Sequence, residues 1–382
     1  MRILFLTSAT TSSGGARQAL YLADGLHEHG HHVTFFTPRS STLRPLSDTM
    51  SWADLPESPG KWKGALEAAM PAPGQGPCIV QAFHNKAVKR LAWHGLFWRR
   101  RGVVCVGYRG VVFRPGNPLT YWSPGIDAFV ANSHACAKVL RGMGLGERRL
   151  AVIHNGIPAA RLVPRRGADA MRAELGLPAG ALLFGCVAHD GDVKGVAPLL
   201  RAFALACARH GAPSDGPDSV PASGHKDSAP ASGNPHLVVV GVTPGRWQPL
   251  CAELGITDRV RLVEHSNCVA DYLQLLDAFV LPSLSESMPN TLLEAICSGL
   301  PVIASQVGGV PELVRGNGLL VPPGDVPALT RALATAMGDA SLRVTWAEAS
   351  RAIAPDFSTE TRINRFEALY RTLLQRRGLS DA

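Results

Sequence analysis

LPSLSESMPNTLLEAICSGLPVIASQVGGVPELV, residues 281–314, is the stretch whose reading decides the fold. The run Asp277-Ala278-Phe279-Val280-Leu281 leads into it with the apolar density of a buried strand. Pro289 stands where a helix accepts a first-turn proline, and Leu292, Leu293 and Ile296 give that helix one apolar face. Gly299 stops it, and Leu300-Pro301-Val302-Ile303-Ala304 reads as the next strand. Strand, polar loop, short helix and strand make a βαβ unit, whose ligands bind at the carboxyl end of the strand, near the helix N-terminus. Two carboxylates bracket that turn, Glu286 in the loop and Glu294 on the helix. An ionised carboxylate accepts two hydroxyl donors at once, so the pair suits a sugar attached to a phosphate. Taken singly, each glutamate also reads as an ordinary solvated acid.

The 382 residues suffice for two α/β domains. A formal charge of +8 favours acidic partners without choosing among phosphorylated substrates, anionic membranes and nucleic acid. The eight cysteines lie singly with no C-x-x-C, which indicates neither a zinc site nor a disulfide framework and leaves reduced, cytosolic thiols as the default. No apolar run approaches the roughly 20 residues of a membrane span. The apolar core of Met1–Thr7 is too short for a signal peptide and reads as a first strand. A cytoplasmic location follows, with peripheral attachment to the inner face of the cytoplasmic membrane as an option.

Outward from the central stretch, strands and helices alternate. Ser12-Ser13-Gly14-Gly15-Ala16 separates the first strand from a helix expected over 17–29, and Gly-Gly there lets the backbone aim N–H groups at an anion. Residues 39–76 read as irregular, with a helix around 62–70. The helix expected over Lys86–Arg101 interleaves six Lys/Arg with two Trp and a Phe, which suits an anionic membrane surface. The plainer reading packs Trp93 and Phe97, one turn apart, inward. No recognised module supports nucleic-acid binding. Strand Val103–Gly107 runs into Tyr108-Arg109-Gly110, and strand Leu182–Val187 into Ala188-His189-Asp190-Gly191-Asp192-Val193-Lys194-Gly195. Asp190-Gly191-Asp192 invites a metal reading, but Asp-x-Asp is common in turns, where it bonds the backbone, and no metal or cofactor is expected. Residues 212–235 are more than half Pro, Ser or Gly and read as a mobile insertion. Helices over 327–337 and 360–376 finish the chain.

Glu286-x7-Glu294 with Ser287-Met288-Pro289-Asn290 inside it, and Gly308-Gly309-Val310-Pro311-Glu312 beyond, resemble the donor-site signature of retaining nucleotide-sugar glycosyltransferases of family 4. Asn155-Gly156 and Lys194-Gly195 fit the same family. The resemblance implies a GT-B fold, two Rossmann-like domains facing an inter-domain cleft. The first domain is expected over 1–165 and the second over 166–355, with a last helix, 356–382, packing back on the first. Glu286 would contact the transferred sugar, Glu294 the ribose and Lys194 the diphosphate. Gly14, Gly15, His189, Ser287, Met288, Pro289 and Asn290 complete the donor-binding set. His189 replaces the family's usual arginine, and Arg109 stands where many members carry a histidine facing the reacting sugar; His84 is the nearest alternative. Arg109, Glu286 and Lys194 are the expected catalytic residues. The implied reaction moves a sugar to a saccharide or lipid-linked acceptor hydroxyl, in polysaccharide or lipopolysaccharide synthesis. A nucleotide-sugar epimerase and a non-catalytic or partner-dependent nucleotide-sugar-binding protein are the alternatives. A Rossmann oxidoreductase would want Gly-x-Gly-x-x-Gly after the first strand, and Ser12-Ser13-Gly14-Gly15 is not that.

Overall fold

The computed structural model describes residues 1–72, 75–210 and 233–379. The chain divides into two compact units. The first comprises Met1–Pro158, Ser287–Asn290 and the segment from Asp356 onward; the second comprises Ala159–Glu286 and Thr291–Pro355. The division at 158 precedes the 165 expected from sequence because Ala159–Leu162 form a turn that groups with the second unit. Most of the insertion expected over 212–235 lies outside the described residues; Pro235 opens a strand.

The first unit holds a seven-stranded parallel sheet of β1 (Arg2–Thr7), β2 (His32–Thr37), β3 (Ser51–Asp54), β4 (Cys78–Phe83), β5 (Val103–Arg109), β6 (Ala128–Ala131) and β7 (Leu150–Val152). Its order is β3-β2-β1-β4-β5-β6-β7, so β1 pairs with both β2 (Ile3 beside Val33) and β4 (Ile3 beside Ile79). The chain winds outward in both directions from β1, which makes β1/β4 a topological switch point. β4 and β5 are buried along their whole length, as expected of parallel strands covered on both faces. β3 falls within the stretch read as irregular. It is a four-residue edge strand, too short and too half-exposed to show an alternating pattern.

The helix Gly14–Glu28 begins earlier than expected, because Ser13 caps it by accepting from the Ala16 N–H at 3.4 Å. Its buried face is Ala16, Ala19, Leu20, Ala23 and Leu26, at helical spacing. The final helix, Thr359–Arg376, lies against it, and a Cβ on Gly25 would come within 2.0 Å of Ile363. Phe366, Tyr370, Leu373 and Leu374 of that last helix are part of the apolar layer under β1 and β2. In the helix Asn85–Trp98 the inward-facing indole is Trp98, which donates to Glu67 Oε1 at 2.7 Å. Trp93 and Phe97, read as the inward pair in the plainer account, are 58% and 66% exposed.

The second unit repeats the plan with β8 (Leu182–Val187), β9 (Pro235–Val240), β10 (Val260–Val263), β11 (Ala278–Leu281), β12 (Val302–Ser305) and β13 (Gly318–Val321). Its parallel sheet has the order β10-β9-β8-β11-β12-β13, with the switch point between β8 and β11. Two such sheets, each clothed in helices, constitute a GT-B fold of two Rossmann-like domains. The central βαβ unit is β11, the helix Asn290–Cys297 and β12, all with apolar buried faces. A helix over Ala340–Ile353 was not expected; it buries only Trp346 and Ser350, so its face is too thin to read as amphipathic. Among the described residues no helix is long and apolar enough to cross a membrane.

Candidate functional site

In the second unit, β8 and β11 lie side by side and their carboxyl-end loops touch. The Leu284 N–H donates to the Val193 carbonyl at 2.7 Å. Gly195 makes this approach possible: its φ is +69°, and a Cβ there would lie 2.1 Å from the Pro282 carbonyl oxygen. The tight turn Asp192–Lys194 then delivers the Lys194 ammonium to Glu286 Oε1 at 2.6 Å. Their side chains are 24% and 12% exposed, so the pair is sheltered without being sealed. A cation and a carboxylate therefore sit together at the switch point of this sheet, where ligands of such sheets bind.

Glu294 is 4% exposed on the helix Asn290–Cys297. Its Oε1 accepts from Arg161 Nη2 at 2.8 Å and from Nε at 3.1 Å, and Arg161 Nη1 donates to the Asn267 carbonyl at 3.3 Å. Two guanidinium N–H groups thus converge on one carboxylate oxygen. Sequence reasoning missed Arg161, which lies 133 residues from its partner. No spacing pattern could have signalled it.

His189 folds back on its own turn, where Nδ1 accepts from the Gly191 N–H at 3.0 Å. That bond assigns the ring hydrogen of the neutral tautomer to Nε2 and leaves it exposed as a single donor. The Asp190 carboxylate accepts from the Thr243 hydroxyl at 2.5 Å, the Thr243 N–H at 3.1 Å and the Trp247 indole at 2.8 Å. The Thr243 hydroxyl first, then the indole, hold its pKa below the ordinary value. Asp192 turns instead to Arg246 Nη2 at 2.6 Å. The two acids of the Asp-x-Asp are thus each committed to a separate partner.

In the first unit the switch point carries a different set. The Gly14 and Gly15 amides open the first helix beside His84, whose Nε2 would lie 3.6 Å from a Cβ on Gly15. His84 follows β4 directly and has φ +67°, the one non-glycine residue with positive φ among the described residues. Such backbone costs about 1–3 kcal/mol and tends to mark functional sites. Thr7, at the end of β1, bonds His84 Nδ1 through its hydroxyl at 2.7 Å. Burial lowers the ring's pKa, which favours its neutral form.

Arg109 does not present its charge there, contrary to the sequence expectation. It is 3% exposed and donates to the Tyr121 hydroxyl at 2.6 Å, to Asn85 Oδ1 at 3.3 Å and to the Phe113 carbonyl. The guanidinium is turned onto the loop that follows β5. Ser287–Asn290, grouped with the first unit, are likewise bonded within it. Ser287 donates to Asn132 Oδ1 at 2.7 Å, and the Met288 carbonyl accepts from Asn155 at 3.2 Å. Asn290 accepts from Gln18 at 3.2 Å and Asn155 at 3.0 Å, and donates to the Gly14 carbonyl at 3.1 Å. Pro289 is buried. Of the expected donor set, the structure thus brings Lys194 together with Glu286, and Gly14 with Asn290.

The chain matches two family models, one described as Glycosyltransferase Family 4 over residues 12–161 and one as Glycosyl transferases group 1 over 220–339. It is 31% identical over 240 residues to a D-inositol 3-phosphate glycosyltransferase of Streptomyces scabiei (strain 87.22), covering 62% of this chain and 51% of that one. The chain spans about half the length of the curated relatives it matches. Among solved structures, Anabaena Alr3699/HepE in complex with UDP superposes with a TM-score of 0.78 at 19% identity, covering 97% of this chain and 100% of that one. The same protein in complex with UDP-glucose gives 0.77 at 18% identity, with the same coverage.

Proposed function

The chain belongs to the group 1, family 4 glycosyltransferases, and from that premise we propose that it transfers a sugar from a nucleotide-diphosphate donor to an acceptor hydroxyl with retention of configuration. The observation that carries this reading is the Lys194–Glu286 pair at the β8/β11 switch point. The bond from C1 of the sugar to the donor phosphate breaks with its electrons on the phosphate oxygen. The acceptor oxygen forms the new bond to C1 on the same face, and its proton passes to the departing phosphate. Lys194 stabilises the negative charge that grows on the diphosphate. Glu286 accepts hydrogen bonds from the sugar hydroxyls. Glu294, oriented by Arg161, takes the ribose, and the His189 Nε2–H adds one donor where an arginine fork is usual. Gly14 and Gly15 offer backbone N–H groups to the donor phosphates. The half-buried His84, rather than Arg109, is the side chain of the first unit assigned to the substrates.

The acceptor belongs to polysaccharide or lipopolysaccharide synthesis and is a saccharide or lipid-linked saccharide. Attachment to an anionic membrane is supported by Trp93, Leu96 and Phe97, exposed on the helix Asn85–Trp98 next to exposed Lys86, Lys89 and Arg90. Exposed Phe113, Leu119 and Trp122 add to the apolar surface. Rings and cations in that mixture suit the headgroup layer.

The test is a donor screen by mass spectrometry. The purified protein is incubated with UDP-, GDP- and ADP-sugars, with and without membrane extract and with EDTA. Acceptor-dependent release of one nucleotide, indifferent to EDTA, is expected. Binding without release under any acceptor would make it a binding protein, and conversion of the donor without acceptor an epimerase.

A further inference from the structure

The amino-terminal edge of the first sheet, opposite to the edge that carries Thr7, Gly14 and His84, holds a cavity of about 470 Å³ lined by five arginines. Arg99 precedes β5, Arg148 and Arg149 precede β7, and Arg376 and Arg377 end the last helix. The one acid in the lining, Asp127, sits just before β6 and is already engaged. Its Oδ1 pairs with Arg377 Nε at 3.3 Å, and its Oδ2 accepts from the Cys105 N–H at 2.8 Å.

Main-chain carbonyls hold several of these guanidiniums in place. Arg149 donates to Ser123 and Ile126 at 2.6 and 2.7 Å, Arg99 to Pro124 at 2.8 Å, and Arg376 to the carbonyl of Arg148 at 2.8 Å. Each guanidinium has five N–H donors, so these bonds anchor the groups without exhausting them. Burial, opposed by Asp127 and reinforced by the Arg99 charge, pushes the Arg149 guanidinium below its ordinary value. Five fixed positive charges against one negative repel one another, and that repulsion is relieved by a multivalent anion. Planar forks match phosphate oxygens two at a time. The cavity is in the size range of small-molecule sites, larger than a single phosphate needs.

We propose that this arginine cavity is a second anion site, which binds a phosphate-bearing polyanion of pyrophosphate type and fastens the last turn of the terminal helix to the amino edge of the sheet. The same chemistry is offered by a soluble polyphosphate and by a phosphate-headed lipid.

Titration calorimetry of the full chain with sodium pyrophosphate, at fixed ionic strength, tests the first source. Sedimentation with phosphatidylcholine vesicles, with and without phosphatidic acid, tests the second. The Arg99→Ala/Arg148→Ala double variant is expected to weaken whichever interaction is found by about tenfold or more, consistent with the loss of two charge-assisted contacts. Arg148→Glu alone, at an exposed position, does the same should the double variant fold poorly. Arg331→Ala, an exposed arginine outside the cavity, serves as the control and leaves this binding unchanged. Saturable pyrophosphate binding that the arginine variants weaken assigns a soluble ligand to this cavity. Variant-sensitive binding only to phosphatidic acid vesicles assigns a lipid headgroup. No saturable binding to either, or binding that the arginine variants leave intact, overturns the proposal.

Discussion

The Lys194 ammonium lies 2.6 Å from Glu286 Oε1, although the two residues come from the loops after β8 and β11, 92 positions apart. Each partner holds the other where a donor would need both. Removing the lysine leaves an enclosed carboxylate without its counter-charge and withdraws the cation from the departing phosphate. Lys194→Ala is expected to lower kcat by about 100-fold or more, the scale of losing one transition-state charge contact. Glu286→Gln, which keeps shape and loses charge, should also lower kcat. Steady-state nucleotide release is the readout, and near-normal kcat in both variants would remove this pair from the mechanism.

Glu294 and Arg161 act as one unit in the same account. Glu294→Ala should raise the dissociation constant for the nucleotide about tenfold, as two hydroxyl contacts to a carboxylate are lost. Arg161→Lys should shift it in the same direction by less, because an ammonium keeps the charge and loses the paired N–H contacts to Oε1. Calorimetry with the nucleoside diphosphate measures both. An Arg161→Lys protein that binds like the parent would show that the carboxylate needs no orientation.

Arg109 is committed to partners inside the first unit. Its bonds to Tyr121, Asn85 and Phe113 make it a fastening of the loop after β5. Arg109→Ala should cost stability by about 3 kcal/mol, since buried partners are left unpaired. The donor KM of the folded fraction should stay within about twofold. Chemical denaturation and kinetics at low temperature separate the two effects, and a large rise in KM at unchanged stability would return Arg109 to the substrate.

Gly195→Ala should be among the most damaging single-methyl changes in the chain. The added Cβ meets the Pro282 carbonyl oxygen at 2.1 Å, with φ at +69° besides. A loss of roughly 2–4 kcal/mol is expected from strain and displaced backbone. Donor turnover should fall with it, because the same contact aligns Lys194 and Glu286. Thermal melting and activity assays on one preparation check the coupling.

A pH-dependent fastening joins the first and last helices of the first unit. His29 Nδ1 and Nε2 lie 3.1 Å from Glu367 and 3.1 Å from Glu360, with His31 and Arg371 on the other contacts of Glu367. Burial lowers the His29 pKa, but the bonds to Glu360 and Glu367 outweigh it and the net shift is upward. A raised histidine contributes stability that is full below its unfolded value of 6.5 and fades as pH climbs through the folded value. His29→Ala should therefore reduce the melting temperature more at pH 5.5 than at pH 8. An equal reduction at both would show that the ring acts by packing alone.

How much of this was legible follows from where each signal is stored. The βαβ unit from Ala278 to Ser305 was readable because its strands are uniformly apolar and proline and glycine punctuate its helix. β3 was not, because a four-residue edge strand with exposed ends and a half-buried middle carries no period. Lys194, Glu286 and Glu294 were nameable as candidates through the family motifs they stand in, Lys194-Gly195 and Glu286-x7-Glu294. Arg161 was not, since its meaning depends on a partner far away in sequence. Arg109 and His84 show the limit most clearly. Both sit at strand ends, and sequence cannot tell that one side chain turns inward to Tyr121 while the other is held beside Gly15 by a left-handed backbone.

The discontinuity of the first unit has a consequence for synthesis. Its sheet is complete by Val152, yet Ile363, Phe366, Tyr370, Leu373 and Leu374 of its apolar layer are made only after the whole second unit. Chains emerge from the ribosome N-terminal end first, and domains fold as units when their parts are present. The half that leaves the ribosome first must therefore wait, with an uncovered apolar face, while every strand of the other half is translated. Newly made chains halted shortly before Asp356 should be the species most dependent on chaperones, and the second half should reach protease resistance before the first.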